Sequence, residues 1–229
     1  MTAAGAHLRY ERKFVPDGLS LAEVAALVRR HPALFRETYP ERPVNNLYLD
    51  TPGLRHYHEH INGAAHRLKV RLRWYGALCG RVEQPVLEIK IRHGLLSRKE
   101  TYPLPAFTVS ADFAGSAAAL IAADGALPGA VRPCLRGLEP ALTNRYQRRY
   151  FCSGDGTIRL TLDSALQFFA PRNHNGSPPA FPHRGPGVIL ELKYGDLHAE
   201  QAARIANVFP FRLTRCSKYV LGVECVNGA

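Results

Sequence analysis

The chain has 229 residues, a formal net charge of +11 at pH 7 and a pI of about 9.7. Such an excess of positive charge favours a polyanionic partner, whether nucleic acid, anionic lipid or a phosphate polymer. The 5 cysteines are scattered and form no C-x-x-C pair, which argues against a disulfide framework and for free thiols in a reducing compartment.

Eight segments have the alternating, β-branched or aromatic content of strands and are bounded by turn residues. In chain order the predicted strands are His7–Val15, Asn45–Asp50, His66–Gly76, Glu83–Arg92, Leu96–Leu104, Ala141–Ser153, Thr157–Leu166 and Gly187–Tyr194. The predicted helices are one that Ser20 and Glu23 open with a capping box, and three more at Ala111–Ala123, His198–Phe209 and Ser217–Cys225. Residues 171–187 are rich in proline and glycine and are predicted to form a surface loop.

Charged side chains occupy every second position in six of these predicted strands. In one, Lys69, Arg71 and Arg73 alternate with leucine and valine; in another, Glu191 and Lys193 alternate with leucine. Successive strand side chains point to opposite faces, so each strand has one apolar and one charged face. The periodicity leaves two architectures open: a sandwich with its charges in solvent, or a barrel that encloses them.

The dominance of arginine and lysine on these faces favours the barrel, because buried cations at this density need a bound anion. Eight antiparallel strands are about the smallest number that can enclose a ligand. We therefore expect an α+β protein with one domain over residues 1–229. Its fold is predicted to be an eight-stranded antiparallel β-barrel tunnel with a charged interior, flanked by several helices.

Short motifs spread over nearly the whole chain carry a family resemblance. They are Arg9-Tyr10-Glu11-Arg12-Lys13, Tyr48-Leu49-Asp50-Thr51-Pro52, Lys69-Val70-Arg71-Leu72-Arg73-Trp74-Tyr75, Leu87-Glu88-Ile89-Lys90, Ser97-Arg98-Lys99, Tyr146-Gln147-Arg148, Ile158-Arg159-Leu160-Thr161-Leu162-Asp163, Leu190-Glu191-Leu192-Lys193 and Ser217-Lys218-Tyr219. In this order they resemble the VTC domain, the polyphosphate-polymerase branch of the triphosphate tunnel metalloenzymes. The resemblance implies a tunnel that binds triphosphate or polyphosphate through basic side chains, with a divalent metal on glutamate.

One departure from the wider superfamily is informative. Its tunnel triphosphatases and adenylate cyclases open with Glu-x-Glu-x-Lys, whereas this chain has Arg9 at the first position. Glu88 and Glu191 likewise stand in Glu-x-Lys pairs, with Lys90 and Lys193, rather than in Glu-x-Glu pairs. Replacing carboxylates with cations favours holding a long anion over metal-assisted hydrolysis.

Arginine suits phosphate because its planar fork donates two parallel hydrogen bonds, and lysine supplies compact point charges. The predicted catalytic residues are Lys13, Arg71, Arg73, Lys90, Arg148, Arg159 and Lys193. The predicted substrate-binding residues are Arg9, Lys69, Lys99, Ser217 and Lys218. The predicted metal ligand for Mn²⁺ or Mg²⁺ is Glu191, with Glu11 as second choice.

Several of these residues have a second interpretation. Glu11 would serve equally well as a charge partner for basic side chains, and Glu88 is expected to be such a partner. Ser217 would bind phosphate, cap a helix or do both, and Asp163 is expected to cap its strand rather than to bind metal.

Histidines at alternate positions in His56-Tyr57-His58-Glu59-His60 would suit zinc if the segment were extended. No cysteine or further histidine pattern nearby completes such a site. A solvated surface segment is therefore the favoured interpretation.

The leading functional hypothesis is metal-dependent polymerisation of inorganic polyphosphate from ATP. The alternatives are a triphosphatase acting on inorganic triphosphate or nucleotides, and a non-catalytic polyphosphate-binding module. ATP, triphosphate or polyphosphate are the expected partners; nucleic acid is not, because aromatic residues do not alternate with the basic ones. Residues 1–7 lack the features of a signal peptide. We expect a cytoplasmic protein. Association with the membrane would come only through a membrane-protein partner, an alternative that the sequence leaves open.

Overall fold

The computed structural model of this protein describes residues 9–94, 96–109, 127–170 and 182–228. The strands are β1 (Arg9–Phe14), β2 (Arg36–Asp50), β3 (His66–Tyr75), β4 (Gly80–Val82), β5 (Val86–His93), β6 (Leu96–Pro103), β7 (Phe107–Val109), β8 (Glu139–Cys152), β9 (Arg159–Phe169), β10 (His183–Arg184) and β11 (Val188–Gly195). The helices are α1 (Leu21–Arg30), α2 (Arg55–Ile61), α3 (Arg132–Leu135), α4 (Ala199–Val208) and α5 (Lys218–Asn227), with a 3-10 turn at Asp196–His198. Within these ranges, no helix is long and apolar enough to cross a membrane.

The fold is α+β and mostly antiparallel, as the sequence predicts. Nine strands belong to one sheet, and β4 and β7 form a second, two-stranded sheet. The predicted closure into an eight-stranded barrel is wrong: in the part of the chain that the structure describes, β1 pairs only with β11 and β6 only with β5. Charge periodicity assigns side chains to faces, but it does not determine whether the two terminal strands pair.

Contacts divide the chain into two compact units, and β2, β8 and β9 each contribute residues to both. Unit 1 comprises Met1–Arg42, Tyr146–Leu166 and Pro186–Cys216. In this unit β1, β11 and β9 pair in that order. The apolar sides of these strands, including Phe14, Leu160 and Leu190, pack with α1 and α4 into one core. The opposite side of the strands is therefore left to charged residues.

Unit 2 comprises Pro43–Arg145, Gln167–Gly185 and Ser217–Ala229. Here the second half of β2 pairs with β3, which pairs with β5, which pairs with β6. Its core contains Leu72, Leu87 and the fully buried Trp74, covered by α3 and the β4–β7 pair. In unit 2, too, the strands turn an apolar side to the core and a charged side away from it.

Within unit 2, the α5 helix packs tightly against β8 and β9. At Gly222 an added Cβ would lie 2.2 Å from a Leu142 methyl and 2.6 Å from the Phe168 ring. Only a residue without a side chain lets the helix approach so closely, and this approach places the first turn of α5 beside β3.

All eight predicted strands are present with ends shifted by a few residues, except that β2 begins at Arg36 instead of Asn45. Its first half contains Pro40 and Pro43, residues that cannot donate to a sheet ladder, but residues 36–42 are exposed and β2 continues through them. The helices near Leu21, Ala199 and Lys218 are confirmed, as is the capping box of Ser20 and Glu23. The predicted helix at 111–123 and most of the predicted loop at 171–187 lie outside the described residues.

The segment with alternate histidines forms the helix α2, so it is not extended. This helix has no side-chain cap of its own, and its N-cap Leu54 has a φ of 52°. His56 is buried, so the expectation of a solvated surface segment is wrong at this residue. No group of three metal-ligating side chains occurs in the described ranges.

Candidate functional site

Unit 2 contains a buried glutamate held by three basic side chains, here named the Glu88 cluster: Glu88, Arg71, Arg73 and Lys99. Arg71 donates to Glu88 Oε2 from Nε at 2.8 Å and from Nη2 at 2.5 Å. Lys99 Nζ lies 2.5 Å and Arg73 Nη1 3.4 Å from Glu88 Oε1. The predicted role of Glu88 as a charge partner is confirmed.

The charges of this cluster control the protonation of Glu88. Burial would raise the pKa of the Glu88 carboxyl, but Arg71, Arg73 and Lys99 outweigh it and hold that pKa well below its usual range. Burial lowers the pKa of Lys99; Glu88 opposes this shift, while Arg73 and Arg71 add to it. Three cations around one carboxylate leave the cluster with net positive charge, which an anion would neutralise.

A chain of buried amides fixes the deeper arginine of the cluster. Arg73 donates from Nε to Asn46 Oδ1 at 2.9 Å, and Asn46 Nδ2 donates to Asn144 Oδ1 at 2.8 Å. The Asn144 amide nitrogen is buried and has no hydrogen-bond partner among the described residues. Arg73 is thus held in place by groups on β2 and β8.

Three lysines lie directly opposite one another on adjacent strands, here named the lysine row: Lys69 on β3, Lys90 on β5 and Lys99 on β6. Lys90 is exposed, and the Lys99 side chain is 49% exposed. Lys69 Nζ donates to Ser217 Oγ at 2.9 Å and lies 3.0 Å from His60 Nε2. Like charges in register weaken a sheet, so negative charge beside the row stabilises it, as Glu88 does at Lys99.

The helix α5 brings further polar groups to the lysine row. Ser217 is its N-cap and accepts from the Val220 amide, while the same oxygen accepts from Lys69, so capping and a place in the candidate site are compatible. Lys218, at the first position of the helix, is buried. Ser217 and Lys218, two of the predicted substrate-binding residues, therefore lie at the end of α5 that is next to β3.

The sequence interpretation assigned no role to Asp50 and Tyr219, although both stand in the resembling motifs. Asp50 is fully buried at the end of β2 and accepts backbone hydrogen bonds from Thr51, His56 and Tyr57. It also accepts from the Tyr219 hydroxyl; burial first, and then this hydrogen bond, raises the pKa of Tyr219. The sequence signal for this role was an aspartate at the end of an apolar strand. Asp50 caps α2 through the His56 and Tyr57 amides and links α5 to α2 through Tyr219.

Unit 1 contains a second buried glutamate among basic side chains, here named the Glu191 cluster: Glu191, Lys13, Arg148 and Lys193. The Glu191 carboxylate lies 3.1 Å from Lys193 Nζ, 3.5 Å from Lys13 Nζ and 3.6 Å from Arg148 Nη2. Lys13 lies opposite Glu191 in the pairing of β1 with β11. In each unit, a glutamate of a Glu-x-Lys pair is thus surrounded by cations.

The guanidinium group of Arg148 forms an ion pair with a buried carboxylate. It donates from Nε and Nη2 to the two oxygens of Asp163 at 2.5 and 2.6 Å, and both side chains are buried. Burial would lower the pKa of Arg148, but Asp163, with Tyr146 and Glu191, outweighs it and raises that pKa well above its usual value. The expectation that Asp163 caps its strand is wrong: the strand continues to Phe169, and the carboxylate instead occupies the fork of Arg148.

The donors near Glu191 decide which metal site this unit could form. Glu11 Oε2 lies 3.8 Å from Lys13 Nζ, so one ammonium group approaches both predicted ligand carboxylates. The described residues contain no group of three metal-ligating side chains. Mg²⁺ commonly takes one or two carboxylates and completes its shell with water and substrate phosphates. Glu191, with Glu11, fits an ion that arrives with its phosphates, and does not fit an ion held by protein alone.

One other predicted residue lies near this cluster. Arg159 is exposed at the start of β9, opposite Lys193. Thr161 lies opposite Glu191, and its buried hydroxyl has no hydrogen-bond partner among the described residues. The side chain of Arg9 lies outside the described part of the structure.

The sequence matches the model of the VTC domain family over residues 8–227, so the chain belongs to that family and the predicted resemblance is confirmed. Solved structures share the fold. A candidate adenylate cyclase from Vibrio parahaemolyticus matches with a TM-score of 0.53 at 14% identity, over 94% of this chain and 98% of that one. The PH1819 protein of Pyrococcus horikoshii OT3 matches with a TM-score of 0.50 at 11% identity, over 96% and 98%. No curated protein matches the sequence.

Proposed function

We propose that this protein is a metal-dependent phosphoryl transferase that binds ATP and polyphosphate and extends inorganic polyphosphate from ATP. The observation that carries the proposal is the lysine row, in which Lys69, Lys90 and Lys99 stand in register across β3, β5 and β6. In each unit, the strands carry their charges on the side away from the core, and the proposal places phosphates on that side.

A phosphate chain is the anion that best matches the lysine row. Neighbouring strands are about 4.8 Å apart, so the row offers a cation at each step across three strands. A polymer with a negative charge on every unit can meet all three at once, whereas one phosphate meets one or two. Each contact is a charge-assisted hydrogen bond, which is stronger than a neutral one.

Phosphoryl transfer needs positioning and charge neutralisation more than covalent chemistry by the protein. In the proposed roles, the lysine row and Arg71 hold phosphates in unit 2, while Lys13, Lys193 and the exposed Arg159 hold them in unit 1. A bound Mn²⁺ or Mg²⁺, with Glu191 as its protein ligand, would neutralise phosphate oxygens. Arg73 and Arg148 act by positioning, because buried side chains already occupy their guanidinium groups.

The state of the carboxylates favours transfer to a phosphate over transfer to water. The Glu88 pKa is held well below its usual range, so this carboxylate is a poor general base for water. Glu191 has three cations within 4.0 Å. A phosphate terminus is already ionised and needs no base, so it is the better acceptor in such a site.

Product analysis with ATP and Mn²⁺ tests the proposal. Polymer longer than triphosphate on a gel supports it; free phosphate alone supports the triphosphatase alternative, and tight triphosphate binding without turnover supports a binding module. The variant Lys90→Ala should lose polymer, because it interrupts the middle of the row. The matched control Arg81→Ala removes an exposed cation of unit 2 that pairs with Glu83, and should leave the product unchanged.

A further inference from the structure

A basic cavity of about 330 Å³ lies in unit 2 at the end of the β3–β5 ladder. It lies where the register pairs Arg67–Arg92 and Leu68–Ile91 meet α2 and the segment around α3. The proposed function uses none of these side chains. The cavity is named the Arg136 pocket after the exposed arginine that lines it beyond α3.

The charge of the Arg136 pocket is strongly positive. Arg55, Arg67, Arg92 and Arg136 line it, and Glu59 is the acidic residue of its lining. Glu59 accepts from Arg55 Nε at 2.8 Å, and Arg92 Nε donates to the Gly94 carbonyl at 2.9 Å. Arg67 and Arg92 face each other in register and add two like charges to this end of the ladder.

A buried histidine adds polar groups to the same cavity. His56 lines the Arg136 pocket and is 8% exposed, and both of its ring nitrogens are buried without a hydrogen-bond partner among the described residues. Its Nδ1 lies 3.6 Å from Glu59 Oε2, beyond hydrogen-bond distance. Buried polar atoms in native proteins are nearly always paired, so these nitrogens indicate a group that the protein does not supply.

The remaining lining mixes polar side chains, such as Thr51, His66 and His93, with apolar ones. Leu68, Ile91 and Leu138 line the cavity and also pack against the hydrophobic core of unit 2. A cavity of 330 Å³ lies at the lower end of the range for small-molecule sites and is far larger than one phosphate needs. The pocket therefore suits a ligand with both an anionic and an apolar part.

We propose that the Arg136 pocket binds an organic phosphomonoester of the nucleoside monophosphate class, with its phosphate at Arg136 and its ring against Leu68, Ile91 and Leu138. His56 would donate to, or accept from, the polar part of the ligand. The proposed site uses no side chain of the lysine row, and the inference does not rest on the proposed function.

Calorimetric titration with AMP tests the proposal, with inorganic phosphate and adenosine as partial probes. AMP should bind saturably and more tightly than either probe. Arg136→Ala should weaken AMP about tenfold or more, for the loss of a charge-assisted hydrogen bond. The matched control Arg81→Ala, an exposed arginine of the same unit, should bind AMP as the unmodified protein does. Arg136 is exposed, so its replacement should leave the fold intact.

Titration of the same variants with inorganic triphosphate separates this site from the lysine row. Arg136→Ala should keep its triphosphate affinity, and Lys90→Ala should keep its AMP affinity. The proposal is overturned if AMP does not bind saturably at millimolar concentration, or if Arg136→Ala and Arg81→Ala bind AMP equally. Inorganic phosphate binding as tightly as AMP would also overturn it, since the apolar lining would then contribute nothing.

Discussion

Neutralising Glu88 should destabilise the protein while sparing phosphate binding. Glu88→Gln keeps the shape and one acceptor oxygen, but leaves the positive charges of Arg71, Arg73 and Lys99 without their common counter-charge. Removing one partner of a buried ion pair costs about 3–5 kcal/mol. Lys99 is 49% and Arg71 25% exposed, so water compensates part of the loss. We expect a decrease of about 3 kcal/mol in the free energy of unfolding, the lower end of that range.

Urea unfolding followed by tryptophan fluorescence measures this decrease. Trp74 is the single tryptophan of the chain and is buried in the core of unit 2, so its emission reports on the unit that contains the substitution. Glu83→Gln is the matched control: it breaks the exposed ion pair with Arg81 and should cost at most about 1 kcal/mol. Equal stabilities of the two variants would refute the assignment of Glu88 as the centre of its cluster.

Triphosphate affinity of the same variant tests the sign of the charge argument. Glu88 competes with phosphate for Arg71 and Lys99, so Glu88→Gln should bind triphosphate at least as tightly as the unmodified protein. Arg71→Ala removes a donor and should weaken binding by about 1.5–3 kcal/mol. A large loss of affinity in Glu88→Gln would show that the arginines need Glu88 in place to meet phosphate.

The remaining predictions concern packing and pH. Gly222→Ala should lower the free energy of unfolding in urea by about 1–3 kcal/mol, because its Cβ would overlap Leu142 and Phe168. In the control Gly129→Ala, the added Cβ meets nothing within 4 Å, and the change should be close to zero. Equal losses of stability in the two variants would refute the tight packing of α5. The folded-state pKa of Glu88 is depressed, so its contribution to stability is complete above its ordinary value of 4.5 and is lost as the pH falls below it. Unfolding at a series of pH values should therefore show the gap between the unmodified protein and Glu88→Gln narrowing below pH 4.5, and a constant gap would contradict this.

Side-chain periodicity was enough to predict which residues share a charged face. The two-residue repeat in β3, β5 and β11 placed Lys69, Lys90 and Glu191 on such faces, and the pattern of Ser217 predicted the cap of α5. A period says which face a side chain occupies, but the register of neighbouring strands decides which side chain lies opposite. The alignment of the lysine row could therefore be described only from the structure.

Two contacts that shape the candidate site were not predicted from the sequence. The predicted phosphate donor Arg148 is held by Asp163, and this pairing depends on how β8 and β9 lie beside each other. The helix α2 has no capping residue of its own and depends on Asp50 and on the left-handed backbone at Leu54. Asp50 accepts from the His56 amide six residues along the chain, and Arg148 pairs with Asp163 on another strand, so neither contact follows from the two-residue period.

The most direct test of the central claim is a calorimetric titration with phosphate, pyrophosphate and triphosphate at one ionic strength, with sulfate as control. If the lysine row holds successive phosphates, affinity should rise with each added phosphate. Lys90→Ala should remove most of the gain between pyrophosphate and triphosphate, because it interrupts the row between Lys69 and Lys99. Equal affinities for all four anions, or a Lys90→Ala variant with an unchanged chain-length dependence, would contradict a site built for a phosphate chain.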